Sequence, residues 1–225
     1  MKKLSLIIMA IIVVAFATNA FATEDKPYYF GLKAGLNMSK AWGDDAEDES
    51  YAMGMAAGVV MGYHLHEMFD IMPEVMFMWK GSKTAMTEEG DGFEGDVTWK
   101  IYYVDINVLA KLKIPTEGMI NPFIIAGPYL GIKVSHGWSS DPEIPEEGGE
   151  YLDEALDEYL KSTDFGAVLG AGVDIMMDNG HMISVEGRYG IGLTNLFDPM
   201  SLDEDTEEEM DFKMSSITFL VGYSF

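Results

Sequence analysis

The sequence ends in Ser216-Ile217-Thr218-Phe219-Leu220-Val221-Gly222-Tyr223-Ser224-Phe225, which carries the clearest structural pattern in the chain. Large apolar residues occupy positions 217, 219, 221, 223 and 225, whereas small polar residues or glycine occupy most positions between them. Alternate side chains of an extended strand point to opposite faces. The stretch therefore predicts a β-strand with one apolar face and one polar face.

The same pattern recurs along the chain, in eight segments of 11 to 17 residues rich in glycine, aromatic and β-branched residues. A tilted strand needs about nine to eleven residues to cross a membrane, so each segment is long enough to do so. We predict strands over 28–40, 51–64, 71–81, 97–113, 122–136, 163–177, 182–194 and 212–225.

The connections between these segments alternate in length. The long ones are 41–50, 82–96, 137–162 and 195–211, and the short ones are 65–70, 114–121 and 178–181. Outer-membrane barrels have short turns on the periplasmic side and long loops outside. Soluble sandwiches and lipocalin-type barrels need no such asymmetry, so the pattern favours a membrane barrel.

The negative charge is concentrated in the long connections. They contain 27 of the 38 acidic residues, with Lys83 and Lys161 as their only basic residues. The acidic runs 44–49 and 203–211 could bind divalent cations, since hard ions prefer clustered carboxylates. We expect a solvated, self-repelling surface instead, because neither run fits the calcium-binding loop pattern. An amphipathic pattern at 151–160 predicts a short helix that either caps the barrel mouth or shortens its loop.

Charged residues in the strand middles fall on the polar faces. In the fourth segment Tyr102, Val104 and Ile106 alternate with Tyr103, Asp105 and Asn107. An unpaired strand edge would leave amide groups unsatisfied in hydrocarbon, so the sheet must close on itself. The sequence thus predicts an all-β protein, an eight-stranded antiparallel up-and-down transmembrane β-barrel with long acidic extracellular loops and short periplasmic turns.

The first 22 residues have the pattern of a secretory signal peptide. Lys2 and Lys3 precede an apolar stretch over 4–17, and Ala20-Phe21-Ala22 is a small-x-small cleavage site. We therefore predict a signal peptide at 1–22 and an outer-membrane β-barrel domain at 23–225, located in the outer membrane of a diderm bacterium. The absence of cysteine excludes a disulfide scaffold. The formal net charge of −24 argues against nucleic-acid binding.

Several segments resemble the PorT-like "outer membrane protein beta-barrel domain" family. They are Phe30–Ser39, Met72–Gly81, Tyr103–Lys111 and Pro122–Gly131. The family pattern usually has proline where this chain has Asn107. The resemblance implies an eight-stranded barrel of the kind that small outer-membrane proteins form, and it implies little about activity.

Charged residues on the inward faces predict a polar network inside the barrel. An eight-stranded barrel is just wide enough to be filled by its own side chains, and a lone buried charge is costly, so these groups should pair. The predicted lumen charges are Lys33, Glu74, Lys80, Asp105, Lys111, Lys133, Asp174, Glu186 and Arg188.

No pattern in the sequence indicates catalysis. The chain lacks a Gly-x-Ser-x-Gly elbow. Ser135 and His136 are adjacent and would point to opposite faces of a strand. His64 and His66 lie in a short turn without a second cluster of metal ligands. We therefore expect no enzyme activity, no metal site and no cofactor.

The predicted role is structural or surface-interactive, with a lumen plugged by side chains. Val221, Tyr223 and Phe225 resemble the terminal signal that the barrel assembly machinery reads. Expected partners are that machinery, outer-membrane lipids and lipopolysaccharide, and we expect a monomer. Three alternatives stay open: a small porin-like channel, an accessory barrel in protein secretion (implied by the resemblance alone), and a soluble ligand-binding barrel whose apolar face points inward.

Overall fold

The computed structural model describes residues 27–44, 46, 49–87, 94–141, 159–197, 200–203, 206–208 and 211–225. Within these ranges the strands are β1 (Tyr28–Trp42), β2 (Glu49–His66), β3 (Phe69–Thr87), β4 (Glu94–Lys113), β5 (Ile120–Asp141), β6 (Thr163–Met176), β7 (Met182–Gly192), β8 (Met200–Asp203), β9 (Thr206–Glu208) and β10 (Lys213–Ser224). In the same ranges no helix is long and apolar enough to cross a membrane.

Eight of the described strands close into one ring, in the order β1-β10-β7-β6-β5-β4-β3-β2. All neighbouring pairs are antiparallel, and β10 closes the ring by pairing with β1 from Gly31↔Ser224 to Trp42↔Lys213. β8 and β9 form a separate hairpin in the connection between β7 and β10. The predicted all-β, eight-stranded antiparallel barrel is confirmed.

Side chains alternate between the lumen and the outer surface. In β10, Thr218 is 3% exposed whereas its neighbour Phe219 is 55% exposed. Other large apolar residues on the outer surface are similarly exposed, among them Leu36, Met53 and Leu169. An apolar outer surface is what a barrel presents to lipid. The alternative of a soluble barrel, which required the apolar face of β10 to point inward, is wrong.

Five strands, β1 to β5, extend further at the long-loop end than the sequence predicts. β3 continues to Thr87, β4 begins at Glu94, and their register is unbroken to the pair Thr87↔Glu94. Lys83 and Asp96 form an ion pair of 2.6 Å across this extension. Polar residues dominate here, so the alternation on which the prediction depends is lost. The hairpin of β8 and β9, in a segment predicted as loop, was missed for the same reason.

Several predicted features lie wholly or partly outside the described residues. The predicted signal peptide at 1–22 is one, and most of the predicted helix at 151–160 is another. Large parts of the acidic runs 44–49 and 203–211 also fall there. These features stay predictions.

Candidate functional site

The centre of the lumen contains a four-residue ion cluster, which we name the central quartet: Lys33 of β1, Glu74 of β3, and Glu186 and Arg188 of β7. Lys33 Nζ lies 2.7 Å from Glu74 Oε1 and 2.9 Å from Glu186 Oε1. The Arg188 guanidinium contacts Glu74 Oε2 at 2.7 Å and Glu186 Oε1 at 2.6 Å. All four side chains are buried, so each charge is balanced by its neighbours rather than by bulk water.

The strands that supply the quartet are not neighbours in the ring. β2 separates β1 from β3, and β10 separates β1 from β7. Strand alternation places Glu186 and Arg188, two residues apart, on the same inward face. The ion pairs therefore cross the lumen and join walls that the sheet hydrogen bonds do not connect directly.

A second cluster surrounds Lys80 of β3. Its Nζ lies 2.9 Å from Asp105 Oδ2 and 3.1 Å from Asp164 Oδ2, and the Tyr129 hydroxyl donates to the same Asp164 oxygen at 2.9 Å. The ammonium also lies 4.8 Å from the ring centroid of Tyr103 and 4.4 Å from that of Tyr129. Ion pairs and aromatic faces together replace the hydration that the buried lysine loses.

A third cluster lies nearer the short-turn end. Lys111 Nζ contacts Asp174 Oδ2 at 2.5 Å and lies 4.0 Å from the ring centroid of Phe123. At the short-turn mouth, Asp70 Oδ1 is 2.8 Å from Lys113 Nζ and 2.7 Å from His64 Nδ1. Charged side chains thus continue from the middle of the lumen to this mouth.

Aromatic side chains of β5 fill the space between the clusters because β6 carries glycines opposite them. An added Cβ at Gly166 would lie 2.5 Å from the Tyr129 ring, and one at Gly172 would lie 2.6 Å from the Phe123 ring. Any larger residue at these inward positions of β6 would have to displace a ring and would also meet a backbone carbonyl of β7. Small residues facing large ones are how the interior of a small barrel is filled.

The structure brings together eight of the nine charged residues expected in the lumen. Lys133, the ninth, is half-buried at the long-loop end, where its Nζ donates to the backbone carbonyl of Leu160 at 2.6 Å. Two buried acids were missed. Asp164 shares the inward parity of Gly166 and Gly172, which could have revealed it. The sequence predicts a turn at Asp70, whereas β3 begins at Phe69 and so includes it.

Three cavities follow one another along the barrel. One of about 380 Å³ lies at the short-turn end beside Asp70 and Asp174, and one of about 310 Å³ lies at the long-loop end beside Leu160 and Met214. Between them, a space of about 30 Å³ lies beside Lys80 and Arg188. That is room for about one water molecule.

Two connections fold together over the long-loop mouth, in a group that we name the clasp: Leu160, Leu196, Phe197 and Phe212. Leu160 and Phe197 form a β-bridge, and Leu196 N donates to Phe212 O at 2.7 Å. The Phe197 and Phe212 rings meet edge to face, with centroids 5.8 Å apart. Leu160 and Leu196 are buried against an apolar cluster of the barrel interior that includes Met78 and Tyr103.

The residues of the expected assembly signal lie on the outer surface, at the short-turn end of β10. Val221, Tyr223 and Phe225 are all exposed. Phe225 N donates to Phe30 O at 2.8 Å, so the terminal residue is attached to β1 through its backbone while its ring stays available outside.

The chain matches one family profile and is similar, at low identity, to several solved structures. A family profile described as "Outer membrane protein beta-barrel domain" matches residues 21–198. Neisserial surface protein A is 14% identical, with a TM-score of 0.47, and the match covers 87% of this chain and 95% of that chain. Ail, the attachment invasion locus protein of Yersinia pestis, is 14% identical with a TM-score of 0.41, and the match covers 89% of this chain and 100% of that chain. OprG from Pseudomonas aeruginosa is 10% identical with a TM-score of 0.47, and the match covers 89% of this chain and 97% of that chain.

No curated protein sequence matches the chain. The family profile spans well over half of the chain, and the residues that it matches include β1 to β7. The PorT-like subdivision stays a prediction. The chain belongs to the outer membrane protein beta-barrel domain family, and its location is therefore the outer membrane.

Proposed function

We propose that this protein is a closed outer-membrane barrel whose role is structural or surface-interactive, and not that of a pore. The observation that carries the proposal is the central quartet, in which Lys33, Glu74, Glu186 and Arg188 bridge the lumen at 2.6 to 2.9 Å. A solute path along the axis would have to separate these charges. Because each is buried, separation would leave unpaired ions at an effective penalty of about several kcal/mol each.

Planar-bilayer recording of the refolded protein tests this proposal. We expect no stable conductance steps from the wild-type barrel, whose insertion is verified by its heat-modifiable mobility on a gel. The double variant Glu74→Ala/Arg188→Ala removes one ion of each sign from the quartet and should raise the leak current. Stable steps on the nanosiemens scale from the wild-type protein would overturn the proposal.

A narrow ion path is a second candidate function. It is favoured by the cavities at the two mouths of the barrel. The ion clusters around Arg188 and Lys80, with a space of about 30 Å³ beside them, lie between these cavities. This candidate predicts that the wild-type barrel conducts and that neutralising Arg188 or Lys133 changes its conductance. An accessory role in protein secretion follows from the PorT-like resemblance alone, and it predicts that secretion components copurify with the barrel.

We further propose that anionic outer-leaflet lipids, including lipopolysaccharide, are partners of the outer surface. Lys40 Nζ lies 5.4 Å from the Tyr51 ring centroid and Lys100 Nζ lies 5.8 Å from that of Trp79, near the long-loop ends of their strands. Neither lysine forms an ion pair with another described residue. Lysines beside interfacial aromatic rings are suited to lipid phosphates.

We also propose the following about its assembly state, chemistry and processing. The barrel acts as a monomer without enzyme activity, metal or cofactor. Divalent cations at the acidic loops remain an alternative to a purely solvated surface. The signal peptide is cleaved after Ala22, and the assembly machinery recognises Val221, Tyr223 and Phe225.

A further inference from the structure

We propose that the cavity beneath the clasp is a binding site for an uncharged apolar molecule, of the size of a two-ring hydrocarbon. The cavity has a volume of about 310 Å³ at the long-loop end of the barrel. Ligand sites are commonly concave spaces of about 300–1,000 Å³ with mainly apolar walls, so this one has the size for a small ligand.

The walls of the cavity are mainly apolar and come from both the barrel and the clasp. Ala41 of β1, Ile101 of β4 and Met214 of β10 contribute the barrel side. Leu160, Leu196 and Phe212 contribute the clasp side. Ala41, Ile101 and Met214 are buried, as are Leu160 and Leu196, so a bound molecule would contact side chains that already exclude water.

Three polar side chains of the rim, Glu49, Ser82 and Thr84, are already engaged with one another, and Lys100 and His136 also line the cavity. Ser82 and Thr84 both donate hydrogen bonds to the Glu49 carboxylate, the second at 2.5 Å. Thr84 Oγ1 in turn accepts from Trp99 Nε1 at 3.3 Å, and Ser82 Oγ accepts from Ala41 N at 3.0 Å. The hydroxyl protons of Ser82 and Thr84 therefore have partners without a ligand. Glu49 and Lys100 give the rim charges of both signs, and a charged ligand would lose its hydration among the apolar walls below them.

The site does not depend on whether the lumen conducts. Its lining residues Ile101 and Met214 belong to the same buried apolar cluster as Tyr103. The Tyr103 ring is in turn 4.8 Å from Lys80 Nζ. A ligand that enters from the long-loop side meets apolar walls and then buried charge. The arrangement fits a molecule that is held at the mouth.

The experiment uses the full-length barrel in lipid nanodiscs with ¹³C-methyl-labelled methionine, titrated with naphthalene. Met214 lines the cavity, Met72 is buried near the other end, and Met53 is exposed on the outer surface, so the three methyl groups report on the site, the distant interior and the lipid. We expect the Met214 resonance to shift saturably, the Met53 resonance to change linearly as naphthalene partitions into lipid, and the Met72 resonance to stay unchanged.

Two variants of matched chemistry test the location. Ala41→Phe places a ring in the cavity and should abolish the saturable Met214 shift. Ala57→Phe adds the same ring on the exposed face of β2 and should leave that shift intact. If Ala41→Phe does not give a heat-modifiable band, Leu196→Trp replaces it as the cavity-filling variant.

A third titration tests the class of ligand. 2-Naphthoate has the same rings as naphthalene and a negative charge, and its binding should be weaker. The proposal is overturned if the Met214 shift is linear and parallel to that of Met53, if it survives filling of the cavity, or if 2-naphthoate binds as tightly as naphthalene.

Discussion

Arg188 and Glu74 are 114 residues apart in the sequence, yet they share two hydrogen bonds of 2.7 and 2.9 Å. Their strands, β7 and β3, lie four positions apart in either direction around the ring of eight. Paired contacts between a guanidinium and a carboxylate are among the strongest side-chain hydrogen bonds. This pair therefore connects diametrically opposite walls, and it helps to fix the cross-section of the barrel.

The first prediction concerns Glu74. Glu74→Ala leaves Lys33 and Arg188 with Glu186 as their shared counterion, so an uncompensated positive charge remains buried. Removing one partner of a buried ion network destabilises a protein by about 3–5 kcal/mol. Urea unfolding of the barrel in lipid vesicles, followed by tryptophan fluorescence, should show this loss. Glu117→Ala, in an exposed short turn, is the control, and equal stabilities for the two variants would contradict the prediction.

The second prediction concerns the packing of β6 against β5. Gly172→Val would place its Cβ 2.5 Å from the Val185 carbonyl oxygen of β7 and 2.6 Å from the Phe123 ring, so both the strand and the ring have to move. Overpacking of this kind costs about 1–3 kcal/mol of unfolding free energy. Gly118→Val should have little effect on packing, because no atom lies within 4 Å of its added Cβ. The double variant Gly172→Val/Phe123→Leu should recover only the part of the loss that comes from the ring, because the contact with the Val185 carbonyl remains. No recovery at all would argue against the ring contact.

The third prediction separates assembly from folding at the C-terminal end of β10. Phe225 is exposed on the outer surface and pairs with Phe30 through its backbone. Phe225→Ala should therefore leave refolding into detergent unchanged while it lowers the heat-modifiable fraction in the cell's outer membrane. The measurement is a gel of membrane fractions and of refolded protein, with and without boiling. A parallel loss in both samples would indicate a structural role only.

The fourth prediction concerns lipid contacts. Each lysine near an anionic surface contributes roughly 1 kcal/mol to binding. The variant Lys40→Gln/Lys100→Gln should therefore retain lipid A about thirtyfold less well than the wild-type barrel, as measured by native mass spectrometry after extraction. Lys83→Gln is the control, because Lys83 already pairs with Asp96 at the long-loop end of β3. Equal retention by both variants would contradict the assignment.

Much of the lumen could be predicted from sequence because inward facing is a local property. Because successive side chains of a strand point to opposite faces, the odd or even position of Lys33, Glu74 and Arg188 along their strands, which we call parity, assigns them to the interior before any contact is known. Parity does not say which charges meet, since that depends on the stagger of strands around the ring. The ion pairs of Lys33 with both Glu74 and Glu186 could not be derived for this reason.

The clasp could not be predicted from local pattern either. Leu160 and Leu196 lie in connections whose many acidic residues predict a solvated loop. In the structure, the bridge between Leu160 and Phe197 and the hydrogen bond from Leu196 N to Phe212 O hold these connections together over the mouth. Lys133 illustrates the same limit. Val134 is left without a partner between the pairs Tyr102↔Ser135 and Tyr103↔Lys133, and this irregularity changes the environment of the residues beyond it.

The pairing of β1 with β10 has a consequence for biogenesis. Thr218 donates to Asn37, 181 positions earlier in the chain, and no intermediate strand can substitute for either edge. Loop-closure entropy opposes contacts of such long range, and they form late in folding. A nascent or prematurely terminated chain that lacks β10 would retain two open edges and could not become a barrel. Closure of the ring must therefore wait until β10 is available to pair with β1.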